Sequence, residues 1–561
     1  MMSFAVVAFI SCGLVAAPGA SATDPVLIGV DTAGSTLIHD YSIHYWSHEP
    51  FYDALGDLGV AFVVVHFAPW SQPGVDTASL MAQRLLDIDR GMKAHEIRYA
   101  LNLETPNFVK SIEITPGRNE FEQSGGRHLW LVRREWLDPV LDAPGPRRLE
   151  ALVYDEAAHM QLSNNKFSDY PRHTCDAPFL VDTTGMGLEE AYDALVAECV
   201  RIRRKHYGDR IRLTTEQVWP DLFHIFARAG WTAAPKLLKE HLNAVVVSIA
   251  LGAAIQYQDC GARFWVSPDL WGMRRYPGHP PESLRSALLT GYWLGAECIY
   301  VENLDFDRHK ARHPEADAKG SLIHWVDATH YQLTSHGRVL RDFAREYVPS
   351  HPRPIDWRAY RPRVAIVRLP DGGWGQFDAS EGHGEAASRN RLLGNRHWPL
   401  DEPASEWLKV WPVLTHGVVK PGAITYSNPM VYPKMMDFFI PIDSVAVFDH
   451  CVTGAVLDSV ECFVVCGHAL SKPTFAAIRE CVEDGKATCI IARRLYERHA
   501  DAPAPHGDWL IVDDFTAPEV AAKLQPFLGP PDVARFRFAE YTVDFRKGDR
   551  PNRIQVELSK P

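Results

Sequence analysis

Six apolar runs along the first part of this chain end in carboxyl groups. VLIGVD (26–31) closes on Asp31, IRYALNLE (97–104) on Asn102 and Glu104, and LEALVYDE (149–156) on Asp155 and Glu156. RIRLTTE (210–216) ends at Glu216, RFWVSPD (263–269) at Asp269, and CIYVEN (298–303) at Glu302 and Asn303. A carboxylate at a buried strand end is costly unless paired, and one or two of these could simply cap a following helix. Capping does not account for six. Carboxyl groups crowded into a partly apolar cleft have their pKa values driven apart by repulsion and desolvation. One then keeps a proton to donate while another stays ionised to attack or to activate water, which is what cleavage of a glycosidic bond requires.

The elements that must position these groups follow from the alternation around them. With FVVVHF (62–67), the acid-tipped runs make seven strand-like segments separated by amphipathic helical patterns such as SLMAQRLLDIDRGMKAHE and GLEEAYDALVAECVRIRRKHYG. That is the βα rhythm of a parallel sheet. A (β/α)8 barrel over 24–350 needs one more strand, between Trp231 and Ser248. The short PKLLKE (235–240) is preferred over AVVVSIA (244–250), because the latter reads as part of a helix that echoes ALLTGYWLGAE further on. In such a barrel the strand C-termini converge on one rim. Aromatic and amide groups predicted beside that rim are Trp46, His48, His66, Trp70, His159, Trp219, Trp271 and Asn303.

Strand residues alternate faces, so the adjacent Asp155 and Glu156 cannot both point to the barrel axis unless the strand end relaxes. Two assignments stay open. In one, Asp155 is nucleophile or base, Glu216 general acid and Asp269 a charge stabiliser, a distribution that resembles the α-amylase clan. In the other, Glu156 is the acid on strand four, as in the large clan of barrel hydrolases that pair Glu on strands four and seven, from which Asp269 on strand seven departs. Catalytic candidates are therefore Glu216, Asp155 and Glu156. Asp31, His66, Asn102, Glu104, His159, Trp219, Asp269, Trp271, Glu302 and Asn303 are candidates for holding sugar hydroxyls and faces. A non-catalytic carbohydrate-binding barrel, or a lyase or metal-dependent hydrolase on the same scaffold, are the competing functions.

After a proline-rich linker (351–363) the βα pattern restarts. VAIVRLP (364–370), SVAVFDH (444–450), ECFVVCG (461–467) and TCIIARR (488–494) read as strands, with PTFAAIRECVEDGK (473–486) a helix between two of them. This is a doubly wound, flavodoxin/amidotransferase-like α/β domain over 364–527. The alternating tail (528–561) is a small β unit. The segments VAIVRLPDGGWG (364–375) and VVCGHALSKPTFAAIRECVEDGKATCII (464–491), with the order of domains, resemble the family 42 β-galactosidases, whose second domain is amidotransferase-like. The resemblance implies a barrel glycoside hydrolase and association of copies through the second domain. The Asn-Glu of that family's fourth strand is replaced here by Asp155-Glu156, so galactose specificity does not carry over. Cys466 lies in an apolar strand without the small flanking residues of a nucleophile elbow and is read as structural.

Composition narrows the class. The net charge of −12 argues against nucleic acid as a partner. The apolar run from Phe4 to Ala17 followed by Ala20-Ser21-Ala22 reads as a secretory signal (1–22), placing the mature protein in the periplasm or outside the cell, without a membrane anchor. The cysteines show no zinc spacing, HxH and HExxH are absent, and His39, His44 and His48 sit in an aromatic-rich loop suited to substrate or surface. No metal or cofactor is expected. An oligo- or polysaccharide is the expected partner.

Overall fold

The computed structural model describes residues 25–67, 77–103, 132–162, 180–217, 222–238, 242–270, 279–305, 320–372, 392–395, 397–398, 401–419, 438–499 and 506–560. The expected signal (1–22), Trp70, Glu104, Trp219 and Trp271 lie outside these residues, as does the His159 side chain.

Eight parallel strands form the first sheet: β1 (Leu27–Asp31), β2 (Phe62–His66), β3 (Arg98–Asn102), β4 (Leu149–Asp155), β5 (Arg212–Gln217), β6 (Thr232–Leu237), β7 (Ser267–Pro268) and β8 (Cys298–Val301). Their order is β7-β6-β5-β4-β3-β2-β1-β8. Parallel bridges Val266–Ile299 and Asp269–Glu302 bring β8 against β7, so the sheet curls into the barrel expected from sequence. The barrel interior is packed by Phe62, Val64, Ala100, Ala151, Val153, Ala234, Trp265, Cys298 and Tyr300, every second residue of the strands.

The sixth strand begins three residues earlier than PKLLKE and ends at Leu237; Leu238 turns the chain with φ +82°. AVVVSIA belongs to the helix Asn243–Gln256, whose residues are almost all buried. A helix apolar on every side must be covered on every side. Here the barrel lies on one flank and the second sheet on the other: a Cβ at Gly252 would lie 1.9 Å from the Val447 carbonyl oxygen. That flank also holds the bond between His224 Nε2 and the same carbonyl, 2.9 Å.

A two-stranded piece, β9 (Ile323–Trp325) and β10 (Tyr331–Leu333), follows the barrel. The second parallel sheet has five strands, β11 (Val364–Arg368), β13 (Val445–Asp449), β14 (Cys462–Val465), β15 (Thr488–Ala492) and β16 (Asp508–Val512), in the order β13-β11-β14-β15-β16. This is the doubly wound order with the switch point between β11 and β14. The strand β16 was not foreseen. The tail forms the small β unit expected: β17 (Val533–Arg537), β18 (Thr542–Lys547) and β19 (Ile554–Ser559) pair antiparallel, and the two-residue β12 (Ile442–Asp443) joins β17 in parallel.

Candidate active site

Strand alternation carries the inner face of the barrel upward from its apolar layer to Asp31, His66, Asn102, Asp155, Lys236, Asp269 and Glu302. Glu216 shares that face because it pairs in register with Asp155 on the neighbouring strand. Seven of the sequence candidates thus meet around one end of the barrel, and the structure adds an eighth group, Lys236.

Lys236 is 2% exposed. Its ammonium lies 3.1 Å from Asp155 Oδ1 and 2.8 Å from Glu302 Oε2, so two carboxylates from opposite sides share one cation. Burial alone would lower the lysine pKa, but Asp155, Glu302, Glu216 and Asp269 around it raise it well above the ordinary value. Lys236 therefore stays charged. A short hydrogen-bond contact joins β1 to β2 at the rim: His66 Nε2 is 2.5 Å from Asp31 Oδ1, which also accepts the Ala33 backbone N–H at 2.6 Å.

Glu216 differs from its neighbours. It is fully buried, and among the described residues neither carboxyl oxygen has a hydrogen-bond partner of good geometry. Burial pushes its pKa up to about 8; Asp155 and Asp31 add to the rise, while Lys236 and the nearby Ser267 hydroxyl oppose it. Its surroundings therefore favour the protonated acid over the carboxylate. Beside it, Asp155 is an ion-paired carboxylate. This is the division of labour that two environments impose on two otherwise similar acids.

Other candidates are placed differently. Glu156 stands one residue past Asp155, off the inward alternation, on left-handed backbone (φ +49°), with its N–H donating to the Glu216 carbonyl at 2.8 Å. Asn303 also has positive φ (+86°), and its side-chain amide donates to the Gly320 carbonyl. Trp46 is buried, stacked on His44 with ring centroids 4.6 Å apart, and His48 contacts the Ala328 carbonyl at 2.6 Å. Both serve packing in this structure. Asp305, just beyond the eighth strand, was not singled out from sequence: it is fully buried, accepts from Ser35 at 3.0 Å and Trp325 at 2.9 Å, and burial raises its pKa to about 6.

Among the described residues, Asp449, His450 and Cys451 bring three metal-ligating atoms within 4.8 Å of one another. The donor set does not suit a cation. Asp449 Oδ1 already accepts from Gln256 at 2.5 Å and the Cys451 N–H at 2.8 Å, and Oδ2 from Tyr192 at 2.5 Å and from Tyr257. The thiol of Cys451 is pushed up to about 12, first by burial and then by Asp449. Cys466, at the end of β14, is fully buried, and burial likewise holds its thiol far above the thiolate range.

No protein-family model matches the chain, and no curated protein matches it. Solved structures do. A β-galactosidase from Rahnella sp. R3 superposes with a TM-score of 0.52 at 11% identity, covering 96% of this chain and 98% of its own. The polyextremophilic β-galactosidase of the Antarctic haloarchaeon Halorubrum lacusprofundi gives 0.53 at 10%, covering 96% and 99%. A β-galactosidase from the psychrophilic Marinomonas ef1 gives 0.50 at 11%, covering 95% and 100%. The likeness spans barrel, second sheet and tail, the succession on which the sequence resembles the family 42 enzymes. At this identity it shows the fold, and the fold is one that glycosidases use.

Proposed function

We propose that this chain is a glycoside hydrolase acting on an oligo- or polysaccharide outside the cytoplasm, with Glu216 as general acid and Asp155 as base or nucleophile. The observation that carries this reading is a buried Glu216, its pKa raised by burial, in register beside an ion-paired Asp155 on the neighbouring strand. A glycosidic oxygen must receive a proton as its bond breaks, and the anomeric carbon must meet a carboxylate or a water that a carboxylate activates. Lys236 holds Asp155 and Glu302 in place. The Asp31–His66 pair, Asn102, Asp269 and Glu302 present polar groups to sugar hydroxyls. Glu156, second on the same strand end, is the acid of the alternative assignment. The β-galactosidase neighbours support the reaction class, and the leader-like N-terminus supports the location.

Glu216→Gln keeps the shape and removes the transferable proton. On a panel of oligosaccharides and aryl glycosides, hydrolysis is expected to fall by about 10²–10⁴-fold, with folding and sugar binding retained. Full turnover in the variant would reject the assignment. Sugar binding by the wild type with no product from any glycan would reject enzymatic function altogether.

A further inference from the structure

The opposite mouth of the barrel holds a cavity of about 290 Å³, between the N-terminal ends of the strands and the linker segment 353–358. Its wall carries five arginines, Arg98, Arg212, Arg263, Arg353 and Arg358, against the carboxylates of Glu297 and Asp356. Barrel interiors are ordinarily filled by branched apolar side chains. Yet Arg98 and Arg212, the first residues of β3 and β5, fall on the inward face, in alternation with Ala100 and Thr214.

Most of this charge is accounted for. Arg98 pairs with Glu150 at 2.6 Å. Glu297 accepts from Arg263 at 2.9 Å, Arg358 at 2.7 Å and the Trp357 indole at 3.2 Å. Arg353 donates to the Tyr292 and Ala296 carbonyls at 2.8 and 2.9 Å. Arg212 has neither carboxylate nor carbonyl partner among the described residues; its guanidinium faces the Trp265 ring at 5.6 Å. Burial, and Arg263 beside it, lower its pKa, while Glu297 and Glu150 oppose that from beyond hydrogen-bond reach. This cation, on the wall of a hollow of about 290 Å³ with surplus positive charge, has no anion in direct contact among the described residues.

We propose that this cavity binds a small, doubly charged tetrahedral oxyanion, a free phosphate or the phosphoryl group of a small molecule, with Arg212 as its central ligand. Guanidinium forks match the oxygens of such a group in pairs. The volume leaves room for a short organic stem over Trp265. Occupancy would also fasten the linker to the barrel floor, because Arg353 and Arg358 come from it. The approach is already close there: a Cβ at Gly295 (φ +86°) would lie 2.6 Å from the Trp357 nitrogen.

The test is calorimetric titration of the full chain with inorganic phosphate and, in a second arm, glycerol phosphate, at ionic strength fixed with chloride. The wild type should bind saturably, with a rise in melting temperature that chloride does not give. Arg212→Met should weaken binding at least tenfold. Tighter binding in the second arm identifies the phosphoryl group of a larger molecule as the occupant; equal binding identifies free phosphate. If Arg212→Met does not fold, Arg98→Gln, at the exposed edge of the cavity, should weaken binding in its place. Wild-type binding no better than chloride, or binding undiminished in the folded variant, would overturn the site.

Discussion

Lys236 lies between Asp155 and Glu302 and acts electrostatically on Glu216, so its removal changes more than one ion pair. Lys236→Met would leave two buried carboxylates without their cation, a loss of about 3–5 kcal/mol measurable by denaturant unfolding. Because Lys236 opposes the rise in the Glu216 pKa, the same substitution should shift that titration further upward. At this scale the acids were legible from sequence, because each follows an apolar run and their repetition is hard to produce by capping. The alternation rule excluded both Asp155 and Glu156 from facing the axis together but left open which of them does; the strand places Asp155 on the inward face. Lys236 was not singled out. A lone lysine in a short run gives no local signal, and its meaning arises only when four acids from other strands surround it. Asp305 escaped for a related reason: its partners, Ser35 and Trp325, come from distant segments.

Between residues and whole molecule stand the elements, and the helix Asn243–Gln256 shows how they couple the two sheets. Its sequence has no polar face, so periodicity alone could not distinguish a buried helix from a buried strand. The echo with the helix before the last barrel strand decided correctly between them. What sequence could not supply was the reason for its covering, the second sheet packed against it. Gly252 meets the Val447 carbonyl directly, and backbone against backbone has little room to yield. Gly252→Ala should therefore cost about 1–3 kcal/mol, seen as a lower melting temperature. As a control, Gly56→Ala in the helix Glu49–Leu58, where a Cβ meets nothing within 4 Å, should be neutral or gain up to about 1 kcal/mol. The unforeseen β16 (Asp508–Val512) does carry an apolar run, Trp509 to Val512, but it was passed over; as the edge strand of its sheet it buries only Val512 fully.

On the scale of the whole molecule, the barrel keeps its two mouths chemically opposite: acids around one lysine at the C-terminal end, arginines at the N-terminal end. The net charge of −12 conceals that division. The raised proton affinity of Glu216 is a property of the folded barrel, since an unfolded glutamate titrates near 4.5. Between that value and about 8 the folded state holds a proton that the unfolded state has released. Stability contributed by this group is thus fully present below the unfolded pKa and lost as pH rises towards and through the folded one. The decisive measurement is the unfolding free energy of the wild type and of Glu216→Gln across pH 4.5 to 9. The wild type should lose stability relative to the variant as pH rises through this window, with the difference levelling off above about 8. Parallel curves across the whole range would mean that Glu216 is already ionised at neutral pH, and no acid would remain for the proposed chemistry.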